Sequence, residues 1–201
     1  MNTCEYDGAP FTEPRSHPWL TTVGHPEWQY YDLTAAPEHI RTALEDLRPW
    51  RRYASMEGMY RLLEQVNRAD CSLESNDCEF TGPQPNDTAA FPKKLRCSGR
   101  VMVLFRQLER NIPSAGIERL KDGLHRALYS RDPGFLWGMI GTTIVPVRYL
   151  ALAASAGGTL GTQLMISFWA WGDTEGETMD NLGRLVANLT FALEALEALE
   201  A

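Results

Sequence analysis

The chain has 201 residues, 44% of them hydrophobic and 22% charged, with a formal net charge of −7. That length predicts one globular domain spanning 1–201 with a core of its own. The negative balance excludes nucleic acid as a direct partner, because phosphate contacts need clustered Lys and Arg.

The first twenty residues carry neither a basic n-region nor an apolar h-region, so no secretory signal is expected and the reading is cytoplasmic. Cys4, Cys71, Cys78 and Cys97 are then expected as reduced thiols. Residues 1–35 hold Pro10, Pro14, Pro18 and Pro26 and show no sustained period, which rules out a long helix. Trp19, Trp28, Tyr30 and Tyr31 are too apolar for a free tail, so this stretch reads as an irregular arm lying on the domain, with room for one short strand. Pro37 and Glu38 open a helix with Ile40, Ala43, Leu44 and Leu47 inward and Pro49 as its stop. Met56, Met59, Tyr60, Leu63 and Val66 then recur at helical spacing.

Residues 69–98 show no period and read as one long loop, of the length that is usually functional or disordered. A strand follows near 100–107. Ser114 is placed as the cap of a helix whose inner stripe is Ile117, Leu120, Leu124 and Leu128. Two more strands, near 142–152 and 162–171, are joined by Gly157-Gly158 and Gly161, which supply turn geometry. Pro146 cannot donate to a ladder, so it belongs at an edge or a bulge. Thr174 and Glu177 form a capping box that starts a long helix with Met179, Leu182, Val186, Leu189, Leu193 and Leu196 inward. Tyr149 to Gly172 carries no charge and is long enough to span a bilayer, but Ser155, Gly157, Gly158, Thr159 and Gln163 make its middle a turn, so no membrane span is expected. The fold class is therefore α+β: a small antiparallel or mixed sheet covered by four helices, in the order α-α-β-α-β-β-α.

No nucleotide-binding, metalloprotease, nucleophile-elbow or paired-cysteine motif is present, so whether the chain is an enzyme stays open. Weak catalytic candidates are Glu74 and Asp77, hard oxygen ligands in one segment, Cys78 beside them, and His125 one position off its helix stripe. Acids beside Cys78 raise a thiol's pKa, which is the wrong direction for a nucleophile. The spacing of Cys71, Cys78 and Cys97 with His17, His25 or His39 favours no zinc site, and neither metal nor cofactor is assigned. Trp137, Tyr149, Trp169 and Trp171 with Arg148 could line a ligand groove on one face of the sheet, with core packing as the alternative.

From Asp173 onward seven acids stand against Arg184 alone, so this segment holds −6 of the net charge. On that asymmetry the leading expectation is a non-enzymatic acidic interaction protein, of inhibitor or immunity type, meeting a basic protein partner through Glu194, Glu197 and Glu200. The alternative is an enzyme or small-ligand binder working between the 69–98 segment and the aromatic face of the sheet. A homo-oligomer sealed through the C-terminal helices is the third reading.

Overall fold

The computed structural model describes residues 1–6, 13–18, 31–152 and 157–200, with the side chains of 130 and 198–200 outside the description. Trp19, Trp28, Tyr30 and His25 fall outside these residues, as does the side chain of Glu200. The chain is α+β, built on one six-stranded mixed sheet. Its strands are β1 (Asn2–Glu5), β2 (Arg15–His17), β3 (Leu73–Pro85), β4 (Leu95–Phe105), β5 (Gly138–Tyr149) and β6 (Thr159–Gly172). The helices are a single turn α1 (His39–Thr42), α2 (Ala54–Asn67), α3 (Ser114–Arg131) and α4 (Glu175–Glu200). The sheet runs β1-β5-β6-β4-β3, with β2 also paired to β5. β1 and β2 lie parallel to β5, and the other neighbours are antiparallel.

The centre of the fold is the hairpin that the alternating apolar pattern predicts. β5 and β6 pair from Gly138↔Ala170 to Tyr149↔Thr159, and Gly158 adopts φ +69° just before β6. The capping box then starts α4: the Glu177 N–H donates to Thr174 Oγ1 at 3.2 Å, and the Asp173 N–H donates to the Glu177 carboxylate at 2.8 Å. The α4 stripe is buried as its spacing requires, with Met179, Leu182, Leu185, Val186, Leu189 and Leu193 all at 3% exposure or less. Each contributes roughly 1.5–3 kcal/mol by leaving water. Together with Met56, Met59 and Leu63 of α2 and Ile117, Leu124 and Leu128 of α3, they cover one face of the sheet through Val101, Val103, Ile140, Leu164, Ile166 and Phe168.

Several expectations are corrected. The 69–98 segment is not a loop: residues 73–85 form β3 and 95–98 begin β4. Its period-two signal is broken by register shifts between Ser75 and Asp77 and between Thr81 and Gln84, where an inserted residue flips the sense of every following side chain. Polar residues also occupy its helix-facing side, because Asn67 of α2 supplies their partner. The Ser75 N–H donates to Asn67 Oδ1 at 3.0 Å and Asn67 Nδ2 donates to Ser75 Oγ at 2.8 Å. The arm gives two short strands rather than one, and the first helix is one α-turn followed by a 3₁₀ segment, Glu45–Trp50, that contains Pro49. Ser114 is the first residue of α3 rather than its cap, and its hydroxyl donates to Glu118 at 2.7 Å. Pro146 sits in an interior strand, but the arm registers stop at Thr142 and resume at Val147, so it falls between the two arm strands. Among the described residues no helix is long and apolar enough to cross a membrane.

Among the described residues the other face of the sheet carries no α-helix, only Leu108 and Leu152 of two short 3₁₀ turns, and it curls. Gly161 leaves room for the Tyr149 ring, since a Cβ there would stand 2.8 Å from it. Tyr149 consequently lies over β6, donates its hydroxyl to the Thr162 carbonyl at 2.7 Å, and packs with Val147 and Leu104 of β4. Met102, Met165 and Val145 form the next layer, again joining β4, β6 and β5. The sheet is open in its ladders but concave enough for its two edges to meet through side chains.

Candidate functional site

Two arm residues make that meeting. His17 Nε2 lies 2.8 Å from Glu74 Oε1 of β3, and His17 Nδ1 lies 2.9 Å from Asn76 Oδ1, the residue extruded by the first bulge. Asn76 Nδ2 donates to Gln163 Oε1 at 2.9 Å, and Gln163 Nε2 reaches the Met102 sulfur at 3.4 Å. This chain fixes the orientation of the Asn76 amide, so both imidazole nitrogens face oxygen acceptors. A neutral ring satisfies only one of them, and the imidazolium satisfies both. Burial pushes the His17 pKa down, but the hydrogen bonds to Glu74 and Asn76 and the charges of Glu74 and Asp32 outweigh it, so the net direction is up.

One layer further along, Asp77 Oδ2 receives Arg15 and Arg100, each at 3.3 Å, and Arg100 also pairs with Glu79. Burial pushes the Asp77 carboxyl up against the pull of Arg100 and Arg15. Two arginines and two carboxylates therefore balance in charge.

Beyond this cluster the concave face opens into a recess of about 160 Å³ lined by Tyr6, Glu79, Ser98, Gly99, Arg100, Met165, Ser167 and Trp169. Gly141 makes its aromatic wall, because only a residue without a side chain lets Trp169 and Tyr6 approach; a Cβ would stand 3.0 Å from both. Trp169 and Tyr6 meet edge to face with centroids 5.1 Å apart. Tyr6 is held from its backbone: its N–H donates to the Thr142 carbonyl at 3.0 Å, and its carbonyl accepts from Thr143 Oγ1.

The residues singled out from sequence are distributed unevenly around this face. Trp169 lines the recess. Trp171 shares its side of β6 but is buried beneath Phe91, which stacks on it at 3.8 Å. Trp137 carries Lys93 over its ring at 4.6 Å. Tyr149 is buried at the far, closed end, and Arg148 is exposed one residue before it, on the opposite side of the strand. These five do not form one groove. Glu74 and Asp77 are both engaged as described. Cys78 points to the helix side, paired in register with Val101, and burial pushes its thiol up to about 12. His125 Nε2 contacts Thr142 Oγ1 at 2.7 Å, and burial with nearby Lys121 lowers its pKa. Among the described residues no group of three His, Cys, Asp or Glu side chains is placed to hold a metal ion.

The acidic C-terminal segment is largely spent within the fold. Lys93 pairs with Asp173 at 2.8 Å and with Glu177 at 2.7 Å, Glu175 pairs with Arg52 and Tyr53, and Glu197 pairs with Arg68 at 3.1 Å. Glu194 is exposed on α4.

Reasoning from sequence alone missed Arg15, His17, Asn76, Ser98, Arg100, Gly141 and Ser167 as parts of this site. The period-two pattern of β6 does place Ser167 beside Trp169 on one face, which is the one local signal for the recess. Comparison with protein-family models, with curated proteins and with solved structures finds no match.

Proposed function

We propose that the protein is a non-catalytic binding protein whose ligand enters the recess at the mouth of the concave sheet. The observation that carries this reading is saturation. The two charged side chains that line the recess, Glu79 and Arg100, are already paired with each other, while the aromatic wall and the serine hydroxyls line the open space. Acid–base and nucleophilic catalysis need a group able to release or take a proton at the substrate. Here His17 is committed to Glu74 and Asn76, Asp77 to two arginines, and Glu79 to Arg100. A concave pocket with an apolar wall and a few convergent polar groups is instead the ordinary form of a small-ligand site, and mouths of curved sheets are a common place for one.

The test is amide and indole NMR of wild type and Ser167→Leu with ring-sized probes. Local shifts at Gly99, Ser167 and Trp169 that vanish when leucine fills the recess support the reading. Shifts that persist in Ser167→Leu, or that centre elsewhere, contradict it.

A second reading, recognition of a basic protein through α4, has its own support. Phe191 is 40% exposed, and Glu194 follows it by three residues on the same helix face. It predicts salt-sensitive capture of a basic partner by wild type and loss of that capture in Phe191→Ala/Glu194→Gln. Unchanged capture by the double variant removes α4 as the contact.

A further inference from the structure

The recess reading leaves the class of ligand open, and the side chains lining it narrow that class. Size comes first. A volume of about 160 Å³ is that of a cavity that takes up one benzene, roughly 150 Å³. Because the recess is open, it seats one face or edge of a hydroxylated six-membered ring while the remaining hydroxyls stay in water.

Polarity comes next. Ser167 is 6% exposed, lines the recess, and its hydroxyl makes no hydrogen bond to any other protein group among the described residues. Ser98, which pairs with Trp169 in register and lines the same recess, likewise has no partner for its hydroxyl among the described residues. Neither hydroxyl is sealed from water, since neither is a buried atom without a partner, so water reaches both through the recess. An apolar occupant would strip that water at a cost, and an occupant that both donates and accepts there is favoured.

Charge is the third constraint. Arg100 is neutralised by Asp77 and Glu79, and Arg15 stands on the far side of Asp77. An anion entering would meet Glu79, and a cation would meet Arg100. The wall opposite is Trp169 with Tyr6, paired edge to face, an aromatic surface that suits the C–H edges of a ring.

Resting on the binding reading above, we infer that the recess takes a neutral, polyhydroxylated ring: one hexose or inositol unit. The ring lies against Trp169. Its hydroxyls meet Ser98 and Ser167 on one side and the Glu79–Arg100 pair at the rim on the other.

The experiment titrates the isotope-labelled full chain with D-glucose, its methyl glycoside, myo-inositol, phenol and inorganic phosphate, reading the Gly99 and Ser167 amides and the Trp169 indole N–H. The inference expects saturable shifts with a hydroxylated ring, at a dissociation constant on the order of 1 mM. Binding of the methyl glycoside as well shows that the ring can be the end of a glycan, and its exclusion restricts the ligand to the free ring. Ser167→Ala should weaken binding roughly tenfold, as for one hydrogen bond. Ser98→Ala repeats the measurement on the other hydroxyl, with the remaining amide spectrum unchanged as the check on folding. Phenol binding without any hydroxylated ring overturns the class but leaves the recess as a binding site. Phosphate binding without the rings overturns the neutrality. Silence with every probe overturns both the class and the binding reading.

Discussion

Replacing Glu74 with Gln tests the clasp that joins the two sheet edges, because it removes a charge while keeping an acceptor near His17 Nε2. The bond is 2.8 Å long, and its partners are 10% and 13% exposed, so solvent screens it weakly. A hydrogen bond to a charged group is worth about 1.5–3 kcal/mol and a neutral one about 1. The substitution should therefore cost about 0.5–2 kcal/mol while His17 is protonated. The sign with pH follows from the direction of the His17 shift. The folded pKa is raised above the ordinary 6.5, so the pair's contribution is complete below that value and is lost as pH rises through the folded pKa. Urea unfolding of wild type, Glu74→Gln, His17→Gln and the double variant at about pH 6 and about pH 9 gives the coupling directly. The coupling should fall sharply between the two conditions. Weak coupling at both conditions would mean that His17 is neutral in the native state, and the reasoning from its two acceptors would fail. Strong coupling at both would place the loss of the proton above the upper pH.

Gly141→Val drives a side chain into Trp169 and Tyr6, already 3.0 Å from a Cβ at that position. It should cost about 1–3 kcal/mol in denaturant and move the Trp169 indole resonance, whereas an unmoved resonance would contradict the assigned aromatic wall. Phe91→Ala removes the ring stacked at 3.8 Å on Trp171. It should cost about 1 kcal/mol beyond lost area and shift Trp171 emission to the red, and emission identical to wild type would show that Phe91 is not its cover. The Cys71 thiol is pushed up to about 11, and those of Cys78 and Cys97 to about 12, by burial. Ellman's reagent should therefore modify the native protein first at Cys4, and early labelling of Cys97 would refute that placement.

The parts of the fold legible in the sequence are those whose signals are local. The β5–β6 hairpin declares itself by alternation and Gly157-Gly158, and α4 by Thr174, Glu177 and an unbroken apolar stripe. β3 is hidden for a physical reason: two bulges reset its alternation, and Ser75 is polar on the buried side because Asn67 satisfies it. The arm strands are four and three residues long, too short to show a period. The candidate site is hardest to see, because its bonds join residues far apart in sequence. His17 meets Asn76 across 59 positions and Asn76 meets Gln163 across 87. The acidic C-terminal segment misleads in the opposite sense, since Lys93, Arg52 and Arg68 approach it only once the chain is folded. Trp169 is the one predicted ligand contact that lines the recess. Its face is fixed by strand period alone, whereas Trp171, two residues on, is claimed by Phe91 from a distant segment.

The most direct measurement is saturation transfer from the protein to myo-inositol, compared between wild type and Ser167→Leu. Strong transfer to the inositol ring protons in wild type, abolished when the leucine fills the space beside Trp169, is the predicted result. Transfer of equal strength in both proteins would place binding elsewhere and contradict the account.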